Sequence, residues 1–183
     1  MKTPQLLAAA TLAALSTAAS ASTVVNQAIT EAEVLAAQRA WCQALVDIST
    51  TGEKSGQAAA KALAERVIDS AYGYQMGVVL FKPTLTVAPQ TFRTTRAGAL
   101  AYFVGGDSAF PKDTGFALKG WTKCESRNAA VFISGDSATT MGNVMITGKD
   151  GKVTTVDKTW KFVKDDAGKL RIVVHHSSLP FSG

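Results

Sequence analysis

The chain has 183 residues, 46% of them hydrophobic and 18% charged, with a formal net charge of +5 at pH 7. This length can form one domain with a substantial hydrophobic core. Its lysines and arginines are scattered and do not alternate with aromatic residues along a stripe, so we expect no nucleic-acid partner. A mild positive potential would instead favour a small anion.

Residues 1–21 have the pattern of a secretory signal peptide. Lys2 precedes a ten-residue apolar block over Leu6–Leu15, and Ala19–Ala21 provides small residues for cleavage. The apolar block is too short to span a bilayer as a helix. We therefore expect a mature single domain over residues 22–183 that is periplasmic or secreted and has no contact with the membrane after cleavage.

Only two cysteines, Cys42 and Cys124, occur in the chain, and export would place them in an oxidising compartment. Exported proteins tolerate disulfides, so the two residues can form one. The alternative is two separate buried thiols, and their spacing does not distinguish between the two states. Two cysteines alone do not make a zinc site.

The N-terminal part of the mature chain predicts two helices. Apolar residues at spacings near multiples of 3.6 predict the first over Val24–Thr50. Thr30 and Glu33 can instead form a capping box, which would move its start to Glu31. An alanine-rich segment predicts the second helix over Ser55–Ala71.

The middle of the chain predicts less regular structure. Val78–Val87 has an extended pattern, but it contains Pro83, which marks a strand edge or bulge because proline has no N–H to donate. Thr95–Val104 predicts a short helix that ends at a glycine pair. Phe110–Trp121 predicts an irregular segment with aromatic anchors.

The C-terminal part predicts four strands joined by tight turns. Glycine and aspartate residues between the strands favour hairpins and therefore an antiparallel meander. The whole pattern predicts an α+β fold, in which a cone-shaped, curled antiparallel sheet packs on the N-terminal helices. The predicted strands are Ala130–Ser134, Ala138–Thr147, Val153–Val163 and Lys169–Ser178.

The last predicted strand contains both histidines of the chain, His175 and His176, followed by Ser177 and Ser178. Adjacent residues of a strand point to opposite faces, so one metal ion cannot readily take both histidines. A catalytic zinc usually has three protein ligands. The chain also lacks the Gly-x-Ser-x-Gly sequence of many serine hydrolases. A pocket of hydroxyl and imidazole groups is therefore the leading interpretation.

Strand alternation divides these four residues between two faces. His176 and Ser178 share a face with the apolar residues Leu170 and Ile172, so we expect this pair to face the pocket. A bulge near the end of the strand would reverse the choice. At least one of the two histidines is then a hydrogen-bonded structural residue.

The chain resembles the iota-class carbonic anhydrases in several separated blocks. Its last strand carries the His-His-Ser-Ser-x-Pro signature of that class, and the other blocks follow in the same order. Together they cover nearly all of the mature chain. The matching blocks are Leu80–Thr84 (LFKPT), Tyr102–Gly106 (YFVGG), Asp113–Phe116 (DTGF), Asp157–Trp160 (DKTW) and His175–Pro180 (HHSSLP).

The resemblance implies a fold like that of nuclear transport factor 2 and of the calcium/calmodulin-dependent kinase II association domain, commonly as a homodimer. It implies reversible hydration of carbon dioxide to bicarbonate without a metal, with zinc or manganese as the alternative cofactor. The implied catalytic residues are Thr84, Tyr102, one of His175 and His176, and one of Ser177 and Ser178.

The residue chemistry agrees with that reaction as a hypothesis. Hydroxyl donors can stabilise the charge that develops on the carbon dioxide oxygens, and an imidazole with a pKa near neutrality can accept the proton of water. Phe81, Phe103, Phe116 and Trp160 are candidate walls of an apolar pocket.

Three alternatives stay open at this point: a non-catalytic binder of a small ligand, an assembly module, and an isomerase. The fold class alone does not separate a binder from an enzyme. An isomerase would need a carboxylate base in the pocket, for which Asp107 is the candidate.

Overall fold

The structure is a computed structural model that describes residues 26–181. The signal peptide predicted over residues 1–21 lies outside them. Within the described part, no helix combines the length and apolarity needed to cross a membrane. The elements in chain order are α1 (Glu31–Ala71), β1 (Leu80–Lys82), α2 (Arg96–Val104), a 3-10 turn (Phe116–Leu118), β2 (Trp121–Ser134), β3 (Ser137–Gly148), β4 (Val153–Lys164) and β5 (Leu170–Ser178).

Helix α1 begins where the capping box predicts. The Thr30 side chain accepts from the Glu33 backbone N–H, and the Glu33 carboxylate accepts from the Thr30 backbone N–H. The start predicted at Val24 from periodicity is therefore wrong. The two predicted helices are joined into one element that is interrupted at a single non-helical residue, Gly56. Its φ of 81° is a backbone conformation that glycine adopts readily because it has no side chain.

The five strands form one mixed sheet in the order β1-β5-β4-β3-β2. Strands β2 to β5 make the predicted antiparallel meander, whereas β1 pairs with β5 in parallel, which the sequence did not predict. The extended segment predicted over Val78–Val87 is reduced to the three residues of β1, because Pro83 cannot continue the pairing. Strand β2 begins at Trp121 rather than Ala130.

The core lies between the sheet and the two helices, as expected for an α+β fold. Residues spaced three or four apart on α1, such as Trp41, Leu45 and Ile48, face the inner side of the sheet. The sheet contributes alternate residues, such as Trp160 and Phe162 of β4. These inner faces determine which side chains of β5 are buried.

A disulfide joins Cys42 of α1 to Cys124 of β2. It decides between the two states that the sequence left open. The bond closes a loop with a sequence separation of 82, and bonds of this kind typically stabilise the fold by about 2–4 kcal/mol. It ties the long helix to the edge strand that is farthest from β1.

Candidate functional site

A β-bulge in β5 reverses the expected orientation of its polar end. Lys161 lies opposite Val174, whereas the next residue of β4, Phe162, lies opposite Ile172. Val173 is therefore an extra residue on β5. Such an insertion moves every later side chain to the other face of the sheet.

The expectation that His176 and Ser178 face the pocket is therefore wrong. His175 and Ser177 are buried on the inner face, while His176 is exposed and Ser178 is half-buried. Alternation alone could not show this, because the bulge adds one residue between the apolar and the polar part of the strand.

Two hydroxyl groups form the centre of the candidate site. The Oγ1 atom of Thr84 lies 2.5 Å from the Oγ atom of Ser177, with either atom able to donate. Thr84 follows β1, which pairs with β5 in parallel and so brings this loop beside Ser177. The Nζ of Lys82 donates to the backbone oxygen of Ser177 at 3.0 Å and holds the end of β5 in place.

Tyr102 adds a third hydroxyl group from helix α2. The helix is capped by the side chain of Thr95 and buries Tyr102 against the rings of Phe81 and Phe116, with centroid distances of 5.7 and 5.3 Å. The backbone of Leu85, and then the side chain and backbone of Thr84, act to lower the pKa of this phenol. Burial nevertheless raises the pKa of Tyr102 above its ordinary value, so this phenol keeps its proton and acts as a donor.

His175 is enclosed on all sides by protein groups. Its Nδ1 lies 2.8 Å from the hydroxyl of Tyr72, and its Nε2 lies 2.7 Å from the Nζ of Lys158. Phe81 stacks on the ring with a centroid distance of 4.3 Å. Burial, followed by the nearby charge of Lys158, lowers the pKa of His175 well below its ordinary value, so the imidazole is neutral. Both ring nitrogens are already bonded to the protein.

Tyr72, Lys158 and Trp41 were missed as site residues in the sequence. Tyr72 directly follows α1, and its hydroxyl also accepts from Nε1 of Trp41 at 2.9 Å. A signal for Lys158 was present: it occupies the same parity on β4 as the apolar residues Val156 and Trp160. A lysine at an inward position of a strand is rarely buried without a reason.

The two remaining candidates, His176 and Ser178, lie on the outer face of the sheet. They line a groove of about 400 Å³ together with Met141, Asn143 and Asp157 of β3 and β4. The structure therefore separates them from Thr84 and Tyr102. Of the six residues proposed from the sequence, it brings together Thr84, Tyr102 and Ser177, with His175 two positions from Ser177.

A buried ion pair supports the loop that carries Thr84. Arg93 donates to both carboxylate oxygens of Asp113, and both side chains are buried. The backbone N–H of Arg93 also donates to the backbone oxygen of Phe81 at 2.8 Å, which closes the loop behind Thr84. The pair thereby joins the loop before α2 to the loop after it.

The candidate walls are arranged around these groups. Phe81, Phe103 and Phe116 surround the Tyr102 ring, while Trp160 lies beside His175 with a centroid distance of 5.8 Å. Residues 26–181 contain no group of three or more histidines, cysteines or acidic residues placed to hold a metal ion. The site therefore offers hydroxyl donors within aromatic surroundings, which suits a small molecule that is apolar in one state and anionic in another.

Comparisons with known proteins agree with this chemistry. The family described as metal-independent carbonic anhydrase matches residues 32–179. The metal-independent carbonic anhydrase of Nostoc sp. (strain PCC 7120 / SAG 25.82 / UTEX 2576) is 72% identical over 158 residues, which are 86% of this chain and 77% of that protein.

Solved structures support the same relationship. The iota-carbonic anhydrase from a cyanobacterium, crystallised with bicarbonate, is 69% identical with a TM-score of 0.87, covering 89% of this chain and 99% of that one. A putative calcium/calmodulin-dependent protein kinase II association domain from Xanthomonas campestris is 23% identical with a TM-score of 0.52, covering 89% and 100%. The second likeness shows the fold alone, and it agrees with the predicted superfamily.

Proposed function

This chain belongs to the metal-independent carbonic anhydrase family, and we propose that its Thr84, Ser177 and Tyr102 hydroxyls form the site that converts carbon dioxide and water to bicarbonate and a proton. The 2.5 Å contact between Thr84 and Ser177, beside the buried phenol of Tyr102, carries the proposal. It is a compact set of donors inside an aromatic shell.

The number of protons on these hydroxyls determines how many hydrogen bonds they can donate to the substrate. Thr84 and Ser177 have one proton each, and their mutual contact uses one of them. The other stays available for an oxygen of the substrate. Tyr102 adds another donor because its raised pKa keeps it protonated. Negative charge develops on the substrate oxygens as water attacks the carbon, and preorganised donors stabilise that charge.

His175 does not have the role expected from the sequence, in which an imidazole accepts the proton of water. Its two nitrogens are bonded to Tyr72 and Lys158, and the pKa of its imidazole is well below the usual value. The ring therefore cannot accept a proton from water directly while these bonds persist. Its effect on the reaction passes through its two partners.

Removal of metal ions should leave the activity unchanged. The family is metal-independent, in agreement with the absence of a cofactor predicted from the sequence. We expect chelator-treated protein to hydrate carbon dioxide in a stopped-flow assay at the rate of untreated protein. Added zinc or manganese should not increase the rate. Loss of activity on chelation and its return with either metal would contradict the proposed mechanism, and no activity under any condition would contradict the function.

Export to the periplasm or beyond is part of the same proposal. The disulfide between Cys42 and Cys124 supports it, since such bonds persist mainly in oxidising compartments. N-terminal sequencing of protein recovered from the periplasmic or secreted fraction should give a start near Ser22. Recovery of the chain with Met1 in the cytoplasm alone would contradict export.

A homodimer formed through the outer face of the sheet is also proposed. Phe132 of β2 and Met141 of β3 are 71% and 62% exposed, which places apolar area on that face. Met141→Lys should convert a dimer to a monomer in light scattering. The matched control is Val78→Lys, which changes an exposed residue two positions before β1, the edge strand on the other side of the sheet, and should leave the mass unchanged. A wild-type monomer at all concentrations would contradict the dimer.

A further inference from the structure

Lys158 is a buried amine with an unusual set of neighbours. Its Nζ lies 2.7 Å from Nε2 of His175, 4.9 Å from the centre of the Trp41 ring and 5.4 Å from that of Trp160. Across residues 26–181, no carboxylate forms an ion pair with it. A charged ammonium carries three donors and is strongly disfavoured in such a place unless it is paired.

Lys158 also lies next to the hydroxyl site. On β4 it is directly opposite Ser177 of β5, and both side chains are buried on the inner face. Side chains opposite each other on neighbouring strands start only about 5 Å apart. Lys158 is therefore the neighbour of Ser177 across the two strands and, through its amine, the hydrogen-bond partner of His175.

We propose that Lys158 is a positioning residue whose protonation state selects the tautomer of His175. The inference rests on the function proposed above, and it follows from a count of protons along Trp41, Tyr72, His175 and Lys158. This chain of four residues has three hydrogen bonds, of 2.9, 2.8 and 2.7 Å.

With a neutral Lys158, every bond in the chain has one proton. The indole of Trp41 can only donate, so it donates to the Tyr72 oxygen. Tyr72 donates its own proton to Nδ1 of His175. The Nε2–H of His175 then donates to the lone pair of the Lys158 amine. Only the two N–H protons of the neutral amine then lack an acceptor among the hydrogen bonds of the described residues.

With a charged Lys158, the direction of the chain reverses. The ammonium must donate to Nε2, so the imidazole proton lies on Nδ1 and donates to the Tyr72 oxygen. The Tyr72 oxygen then accepts two bonds, and its own proton has no acceptor among the hydrogen bonds of the described residues. The two arrangements therefore differ in the tautomer of His175.

Proton movement along this chain balances at each step. When the chain takes up one proton from solvent, the Tyr72 proton moves to Nδ1 and is replaced on the Tyr72 oxygen, and the Nε2 proton moves to the Lys158 amine. Tyr72 and His175 each gain one proton and lose one, so the positive charge ends on Lys158. The faces of Trp41 and Trp160 partly stabilise that charge, as in other cation–π contacts.

The surroundings place this exchange near neutral pH. Burial lowers the pKa of Lys158 to about 7, while the pKa of His175 is lowered well below its ordinary value, so the amine titrates first. The other titratable groups beside the chain are Tyr74, which stacks on Tyr72 with a centroid distance of 5.9 Å, and Tyr102. Burial raises the pKa of both, as it does that of Tyr72, so these phenols keep their protons. His176 lies on the outer face of the sheet. The pair can therefore change its charge without forming an imidazolium.

The test is the position of the imidazole proton in the full mature protein without substrate, measured by nitrogen NMR on ¹⁵N-histidine-labelled samples. The chain has only two histidines, and a His176→Gln variant assigns their signals. We expect His175 to carry its proton on Nε2 well above pH 7 and on Nδ1 well below it. Lys158→Met should show one tautomer at both pH values, and Lys158→Arg should keep the Nδ1–H form.

A second readout separates a functional role from a structural one. The kcat/KM of the wild type for carbon dioxide hydration should fall as the pH is lowered through about 7, because Lys158 becomes charged. This step should be missing in Lys158→Met, provided that thermal unfolding shows a folded variant. If the role of Lys158 is only structural, the Lys158→Met substitution should lower kcat/KM by the same factor at every pH.

The outcomes distinguish this inference from the proposed function. A wild-type His175 that keeps one tautomer across neutral pH, or that becomes an imidazolium, overturns the inference even if the protein is fully active. A tautomer change that persists in Lys158→Met overturns it as well. The wild-type measurement decides the matter if neither variant folds. Absence of carbonic anhydrase activity overturns the function instead and is detected by the chelator experiment.

Discussion

Replacing Ser177 with alanine should lower kcat/KM for carbon dioxide hydration by about 100- to 1,000-fold, the usual effect of removing one donor from an oxyanion site. The Ser177 hydroxyl lies 2.5 Å from that of Thr84, so its removal takes one proton and one partner from the site at once. The fold should persist, because alanine leaves only a small change at the end of β5.

The neighbouring serine provides a matched control. Ser178 is on the same strand but faces the outer groove, away from Thr84 and Tyr102. Ser178→Ala should keep kcat/KM within about two-fold of the wild type, since its side chain makes no contact with the proposed donors. Stopped-flow rates for both variants, compared with their thermal unfolding, would check this. Equal losses in the two variants would contradict the orientation set by the bulge.

The second large effect concerns stability. Asp113→Ala should lower the free energy of unfolding by about 3–5 kcal/mol, because it leaves the guanidinium of Arg93 buried without its counter-charge. Arg93 and Asp113 are 2% and 4% exposed as side chains, and their closest contact is 2.7 Å. Urea unfolding would give the difference, with equal m-values showing that both states are comparable.

A surface ion pair provides the control for this prediction. Asp69 and Arg96 lie 2.5 Å apart but have side chains that are 57% and 42% exposed. Asp69→Ala should therefore change the free energy of unfolding by less than about 1 kcal/mol. Replacing both buried partners, as in Arg93→Met with Asp113→Leu, should recover much of the loss, because no unpaired charge remains. A double variant as unstable as Asp113→Ala would show that the packing of the loop, rather than the orphaned charge, is responsible.

Local patterns predicted several features of the fold correctly. The capping box of Thr30 and Glu33 gave the start of α1, because both of its hydrogen bonds form within four residues. The turn residues separated the four meander strands, since hairpins depend on backbone conformations that glycine and aspartate favour. The polar first half of β2 was missed, because this edge strand is only partly covered and its side chains alternate among charged and polar types.

The composition of the site was visible in the same way, since Thr84, Tyr102 and the histidine–serine pairs stood in motifs that resemble the family. Their arrangement was not. The parallel pairing of β1 with β5 brings Thr84 to Ser177 across 93 positions of sequence, and no local pattern encodes such a contact. The same holds for Lys158, because its proposed role depends on the 2.7 Å contact between its Nζ and Nε2 of His175.

The amino-acid sequence was sufficient for the elements with short-range causes, namely the start of α1, the turns, the bounds of β3 to β5 within one residue, and the set of residue types available for chemistry. Only three-dimensional packing determines which side chains at the end of β5 face the core. One inserted residue, Val173, shifts the register against β4 and turns His175 and Ser177 inward. A bulge forms where the pairing of two strands and the burial of both faces favour it, so its position depends on residues far apart in the chain.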